Sequence, residues 1–166
     1  MKSKIIHWSL AFGLAAAASL NAQSLTLFPF PHKVGEYDHQ KTQTSMKTHL
    51  NNGDTLRYHN ARVLYTTAED SVWVFWSRFE NDKAARKMME QMVANVRLNK
   101  GGQKHQNAET VLGVSVHSAA SEDKAHYFFQ NKDQIFWITG AANECAVFLK
   151  DFLKQAGLAR NERANK

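Results

Sequence analysis

Cysteine is almost missing from this chain: Cys145 is the only one, so no intramolecular disulfide can form, whatever the redox state of its compartment. Packing must hold the fold together. Proline is nearly as scarce, at Pro29 and Pro31 only, so elsewhere no proline ring interrupts helix or strand hydrogen bonding. Motifs that would name a reaction are also missing. No Gly-x-Ser-x-Gly turn is present to raise a serine nucleophile. Gly101-Gly102 comes after a helical pattern instead of opening one, which excludes phosphate-loop and dinucleotide-binding readings. The histidines form neither a helical pair nor a His-Glu pattern of the kind that gives zinc a ready-made site. No reaction and no cofactor is therefore written into the chain.

The one long apolar run comes first. Lys2 and Lys4 form a basic head, Ile5 to Leu20 an apolar core, and Asn21-Ala22 a small-residue exit before Gln23. This is the layout of a secretory signal peptide, residues 1–22, with the mature chain beginning at or near Gln23. Ala16-Ala17-Ala18 offers a competing small-residue exit. The apolar run, interrupted by His7, Ser9 and Ser19, is shorter than the roughly 20 residues of a membrane-spanning helix. No cysteine stands at its end to carry a lipid. These features predict a periplasmic or secreted protein with no stable membrane anchor after cleavage.

The chain beyond the leader is the size of one domain, large enough for a substantial core. The formal charge of +6 loses two lysines with the leader, leaving a mild basic surplus. Nucleic acid is not an expected partner at this charge. Such a surplus favours anionic envelope polymers or lipid headgroups through long-range attraction. The plain reading of its two clusters, Arg97 to His105 and Lys154 to Lys166, is a solvated loop and a frayed end.

Residues 23–54 read as an extended N-terminal arm. Leu25 to Pro31 mixes apolar side chains with two prolines, and Gly35 to Thr48 is polar and weakly patterned. The arm either lies along the domain with Phe28 and Phe30 buried or orders only against a partner. Residues 55–158 carry the pattern of a single α+β domain, and residues 159–166 that of a disordered basic tail. Thr55 to Thr67 predicts a strand. Val72-Trp73-Val74-Phe75-Trp76, apolar on both faces, predicts a central one. Ala85, Met88, Met89, Met92, Val93 and Val96 recur at helical spacing behind an Asn81 or Asp82 cap. After a polar loop to Glu109, strands are predicted at Val111–His117, Ala125–Gln130 and Gln134–Thr139, then a helix capped by Asn143 and ended by Gly157. The expectation is an antiparallel sheet with the two amphipathic helices packed on one of its faces. In element order alone this layout resembles PsbP-like and other small exported α+β domains, and layout does not specify function.

A sheet covered on one side leaves its other side to solvent or a partner. Trp76, Tyr127 and Trp137, with Phe129, are the candidates for a half-exposed aromatic surface there. The preferred reading is a non-catalytic exported domain that binds a partner protein or a small apolar ligand, or forms a homodimer, through that surface. The alternative is a small periplasmic enzyme or metal-binding protein using His117 and His126, which sit near neighbouring strand ends. Two imidazoles still need a third ligand to hold a metal. Cys145, in the first turn of the closing helix, is either a thiolate favoured by the helix dipole or a small buried core residue. Intact-mass analysis of the exported protein is expected to show loss of residues 1–22; recovery of the uncut chain in the membrane fraction would reverse the export reading.

Overall fold

A computed structural model describes residues 27–51, 54–99, 102 and 104–160. The signal segment, its cleavage site and all but the first two residues of the basic tail lie outside them. The described chain runs β1 (Lys33–Val34), β2 (Tyr37–Asn51), β3 (Asp54–Thr66), β4 (Ser71–Phe79), α1 (Asp82–Arg97), β5 (Lys104–Val111), β6 (Val114–Ser121), β7 (Lys124–Asn131), β8 (Gln134–Ala141) and α2 (Ala142–Gln155).

The eight strands make one antiparallel sheet in the order β1-β2-β3-β4-β8-β7-β6-β5, curved into a half-barrel. This corrects the α+β expectation: strand accounts for more than half of the described residues, and the class is mostly β. The excess is in the edge strands. Most of β2 falls in the segment that reads as a polar arm, and Lys104 to Glu109 of β5 in the one that reads as a polar loop. A strand shows apolar alternation only where one face is buried. Thr42 to Met46 of β2 and Asn107 to Thr110 of β5 are exposed on both sides, so neither segment carries that signal. Bulges at His39/Lys41 and between His105 and Ala108 bend these edge strands, as an extra unpaired residue does.

The helices lie on opposite faces, not on one. Along β4, Val72, Val74 and Trp76 point into a core shared with Cys145, Phe148, Leu149, Phe152 and Leu153 of α2. Phe79 joins a second core with Ala85, Met89 and Val96 of α1. The connection dictates this arrangement. α1 must carry the chain from mid-sheet β4 out to edge strand β5, which it does across one face, while α2 leaves β8 and folds back over the other.

Local chemistry sets the ends of both helices. The Asn81 side-chain oxygen accepts from the Ala84 N–H at 2.9 Å, the bond an N-cap residue provides. Asn99, in the left-handed region at φ 51°, stands just past the α1 C-terminus. At α2 the boundary residue is Ala141, with no side-chain cap bond, and Asn143 falls inside the first turn. Gly157 does end that helix at φ 67°, and the Leu158 N–H closes on the Leu153 carbonyl at 2.9 Å.

The N-terminal segment packs on the α2 face. Phe28 meets Phe30 and Phe136 edge-on, at centroid distances of 5.1 and 5.0 Å, and Phe30 meets Trp76 at 6.2 Å. The Tyr65 hydroxyl donates to the Pro31 carbonyl at 2.9 Å, fixing the segment across β3. Phe28→Ala is expected to destabilise the fold by roughly 2 kcal/mol, since a half-buried ring with several edge contacts is lost. Urea unfolding measures this, and an unchanged midpoint would mean that the segment contributes no packing energy.

Candidate functional site

The structure divides the four aromatic candidates, and Phe129 is fully buried in the α2-side core. Trp76 is 1% exposed, in the α2-side core, with its indole N–H donating to Gln134 Oε1 at 2.7 Å. Tyr127 is half-buried against the same core. Trp137 points the other way, half-buried at the rim of the α1-side core. These residues do not form one surface. Strand alternation separates Trp76 and Tyr127 from Trp137, because side chains on hydrogen-bonded neighbours share a face only in matching register.

Register assembles a different set. On the α1 side, His117 lies opposite Phe128, Phe128 opposite Trp137, Trp137 opposite Phe75, and Phe75 opposite Arg62. One row thus crosses five strands. The Phe128 and Trp137 rings stack at 4.8 Å and 12°, and His117 stacks on Phe128 at 5.4 Å. The adjacent row runs Ala119, His126, Thr139, Trp73, Leu64. α1 covers the β5 to β8 end of these rows. Toward β3 the cover thins, and Trp73, Phe75 and Leu64 are half-exposed beside an exposed Arg62. The Arg62 guanidinium carbon lies 4.1 Å from the Trp73 ring centroid and 5.8 Å from that of Phe75, close enough for the ring quadrupoles to attract the cation. Trp73 and Phe75 were legible as the far face of β4. Arg62 was not, because only the β3–β4 register brings it over them.

Compared with protein-family models, curated proteins and solved structures, the chain matches none. Its function must therefore be read from geometry.

The buried polar groups on this face cluster at His126, which is 7% exposed. Its Nε2 lies 2.9 Å from Ser121 Oγ, while its Nδ1 and the hydroxyl of its cross-strand neighbour Thr139 make no hydrogen bond. Burial, with a smaller contribution from the Lys124 charge, pushes the imidazole pKa down to about 4. It is neutral at physiological pH. Nothing among the described residues orients it as the acid of a catalytic triad would, and an imidazole with so low a pKa is a poor general base. His117 stacks on Phe128 and does not face His126 across the sheet. Among the described residues, no group of three or more His, Cys, Asp or Glu side chains is placed to hold a metal ion. Burial pushes the Cys145 thiol up to about 12, so it is an unionised core residue and not a nucleophile.

A wide cleft of about 630 Å³ lies elsewhere. It opens between the β1–β2 and β3–β4 turns and the start of α2, lined by Glu36, Asp38, Glu69, Asp70 and Glu144. It is wide and solvated, with no buried unpartnered polar group at its walls, and it does not touch the aromatic rows.

His126 makes stability pH-dependent with a definite sign. Its folded pKa lies below the unfolded value of about 6.5, so the unfolded chain takes up the proton first and stability falls as pH drops from about 6.5 toward 4. Between pH 7.5 and 4.5 this one group is expected to cost about 2 kcal/mol. The check compares the urea midpoints of the parent and His126→Gln at both pH values; equal pH slopes in the two proteins would contradict a buried neutral imidazole.

Proposed function

We propose that this protein is an exported, non-catalytic domain that binds through the uncovered part of its α1-side sheet face, where Arg62, Trp73, Phe75 and Leu64 meet. The observation that carries this is the cation stacked over two half-exposed aromatic rings. Both rings are only half-buried, and large rigid aromatics beside an arginine are the residues that concentrate binding energy at recognition surfaces. The chemistry suits an apolar molecule or partner segment carrying an aromatic ring and a negative charge. The ring stacks on Trp73 and Phe75, and the charge pairs with Arg62. Trp137 closes one end of the patch as a rim contact.

The alternative, an enzyme using His117 or His126, draws support from the 2.9 Å Ser121–His126 contact. That pair has a hydroxyl and an imidazole in hydrogen-bond reach but no orienting carboxylate, and its imidazole is a weak base. Binding is the better fit.

Titration with an anilinonaphthalene sulfonate, an aromatic anion whose emission rises on leaving water, tests the reading. Trp73→Ala is expected to weaken binding by about thirtyfold, the equivalent of roughly 2 kcal/mol at an anchor residue. Arg62→Gln should weaken it less, and Ser121→Ala should leave it unchanged. Probe affinity unaffected by both Trp73→Ala and Arg62→Gln, in variants shown folded by circular dichroism, would remove the aromatic face as the site.

A further inference from the structure

The outer edge of β2 is a second surface, distinct from the aromatic face. β1 pairs with β2 only at Lys33↔Asp38 and Val34↔Tyr37, and a bulge comes next at His39/Lys41. Beyond it, among the described residues, β2 has a strand neighbour on its β3 side alone. An edge strand left this way presents a row of unpaired N–H and C=O groups, ready to accept a further strand. The chain already uses that edge once, for β1.

Side chains on the two faces of this edge define what it accepts. Lys41 and Lys47 share the α1 side with Arg62, as the register pairs Lys41↔Leu64 and Lys47↔Tyr58 require. From Lys41 to Thr48 and from Thr55 to Thr66 the β2–β3 ribbon carries Lys41, Lys47, Arg57 and Arg62 and no carboxylate. On the α2 side Thr42, Thr44 and Met46 alternate. There a cavity of about 280 Å³ is lined by Leu27, Met46, His59 and Trp76, together with Thr44, Ser45 and Asn60. Leu27 and Met46 are 46% and 61% exposed, so apolar surface stands beside the open edge.

We propose that β2 between Lys41 and Thr48 is a strand-addition site for an extended acidic peptide, with carboxylates on the Lys41 side and an apolar side chain in the Leu27–Met46 cavity. Main-chain bonds to the edge supply affinity, and alternate side chains supply selectivity, as in other strand-addition complexes. A second copy of the chain fits less well. Pairing two β2 edges about a two-fold axis brings cations of both copies together on one face, and like charges opposite each other destabilise a strand pair.

The test uses a fluorescein-labelled octapeptide of alternating glutamate and valine, titrated with the exported protein and read by anisotropy. Saturable binding is expected, with slowed amide exchange confined to residues 41–48. Lys41→Glu should weaken it about fivefold and Met46→Asp by a similar factor. Two further peptides are N-methylated, one at every glutamate and one at every valine; one of the two should lose at least about tenfold, because one set of N–H groups must face β2. Four results would overturn the proposal: no binding of the parent peptide, equal affinity for a lysine–valine counterpart, unchanged binding of both N-methylated peptides, or peptide-free dimerisation in sedimentation with β2 amides protected at the interface.

Discussion

The pairing of β4 with β8 is the joint on which the structure depends. The chain builds two antiparallel meanders, β1 to β4 and β5 to β8, and only the register from Trp73↔Thr139 to Arg78↔Gln134 makes them one sheet. Both cores cross this seam. On one side Val74, Trp76, Phe136 and Ile138 continue into α2, and on the other Phe79 and Ile135 continue into α1. The seam ends at the Arg78–Asp133 ion pair, 2.9 Å long and partly shielded from solvent. The pair aligns the end of β4 with the β7–β8 turn.

That joint explains the inequality of the faces. The α2 side is closed by a helix and by the Phe28 to Phe30 segment, so Trp76, Phe129 and Phe136 are fully buried there and Tyr127 half-buried. The α1 side has a single helix running from the seam toward β5, and one helix about 10 Å across cannot also shield the β2–β3 half. Trp73 and Phe75 are half-exposed for this geometric reason, and Arg62 lies over them. The candidate binding face is thus a consequence of where the crossover runs.

The same division governs how the polar residues are used. His126 and Ser121 sit under the helix-covered part, where burial keeps the imidazole neutral, while Lys41 and Arg62 lie exposed on the less covered β2–β3 ribbon, where cations stay hydrated. A buried neutral histidine and an exposed cationic edge are different instruments. The first makes the fold sensitive to acid, and the second sets the sign of charge a partner must bring.

Much of this could be read from residue order. The two-sided apolarity of Val72 to Phe79, the helical spacing from Ala85 to Val96, the Asn81 cap and the Gly157 stop are local features, and local sterics and hydrogen bonding act on them wherever the chain goes. Edge strands β2 and β5 were illegible for the opposite reason, since a strand solvated on both faces leaves no periodic trace. Nor could the sequence place its aromatics. Trp76 and Trp137 look alike in the chain, yet cross-strand register sends one to a sealed core and the other to a rim, and sets Arg62 above Trp73. Sequence alone determined which segments bury apolar side chains, because periodicity is a property of neighbours along the chain. Tertiary structure alone decided which faces remain open and which residues meet there, because register and helix placement arise from contacts between segments far apart in the sequence.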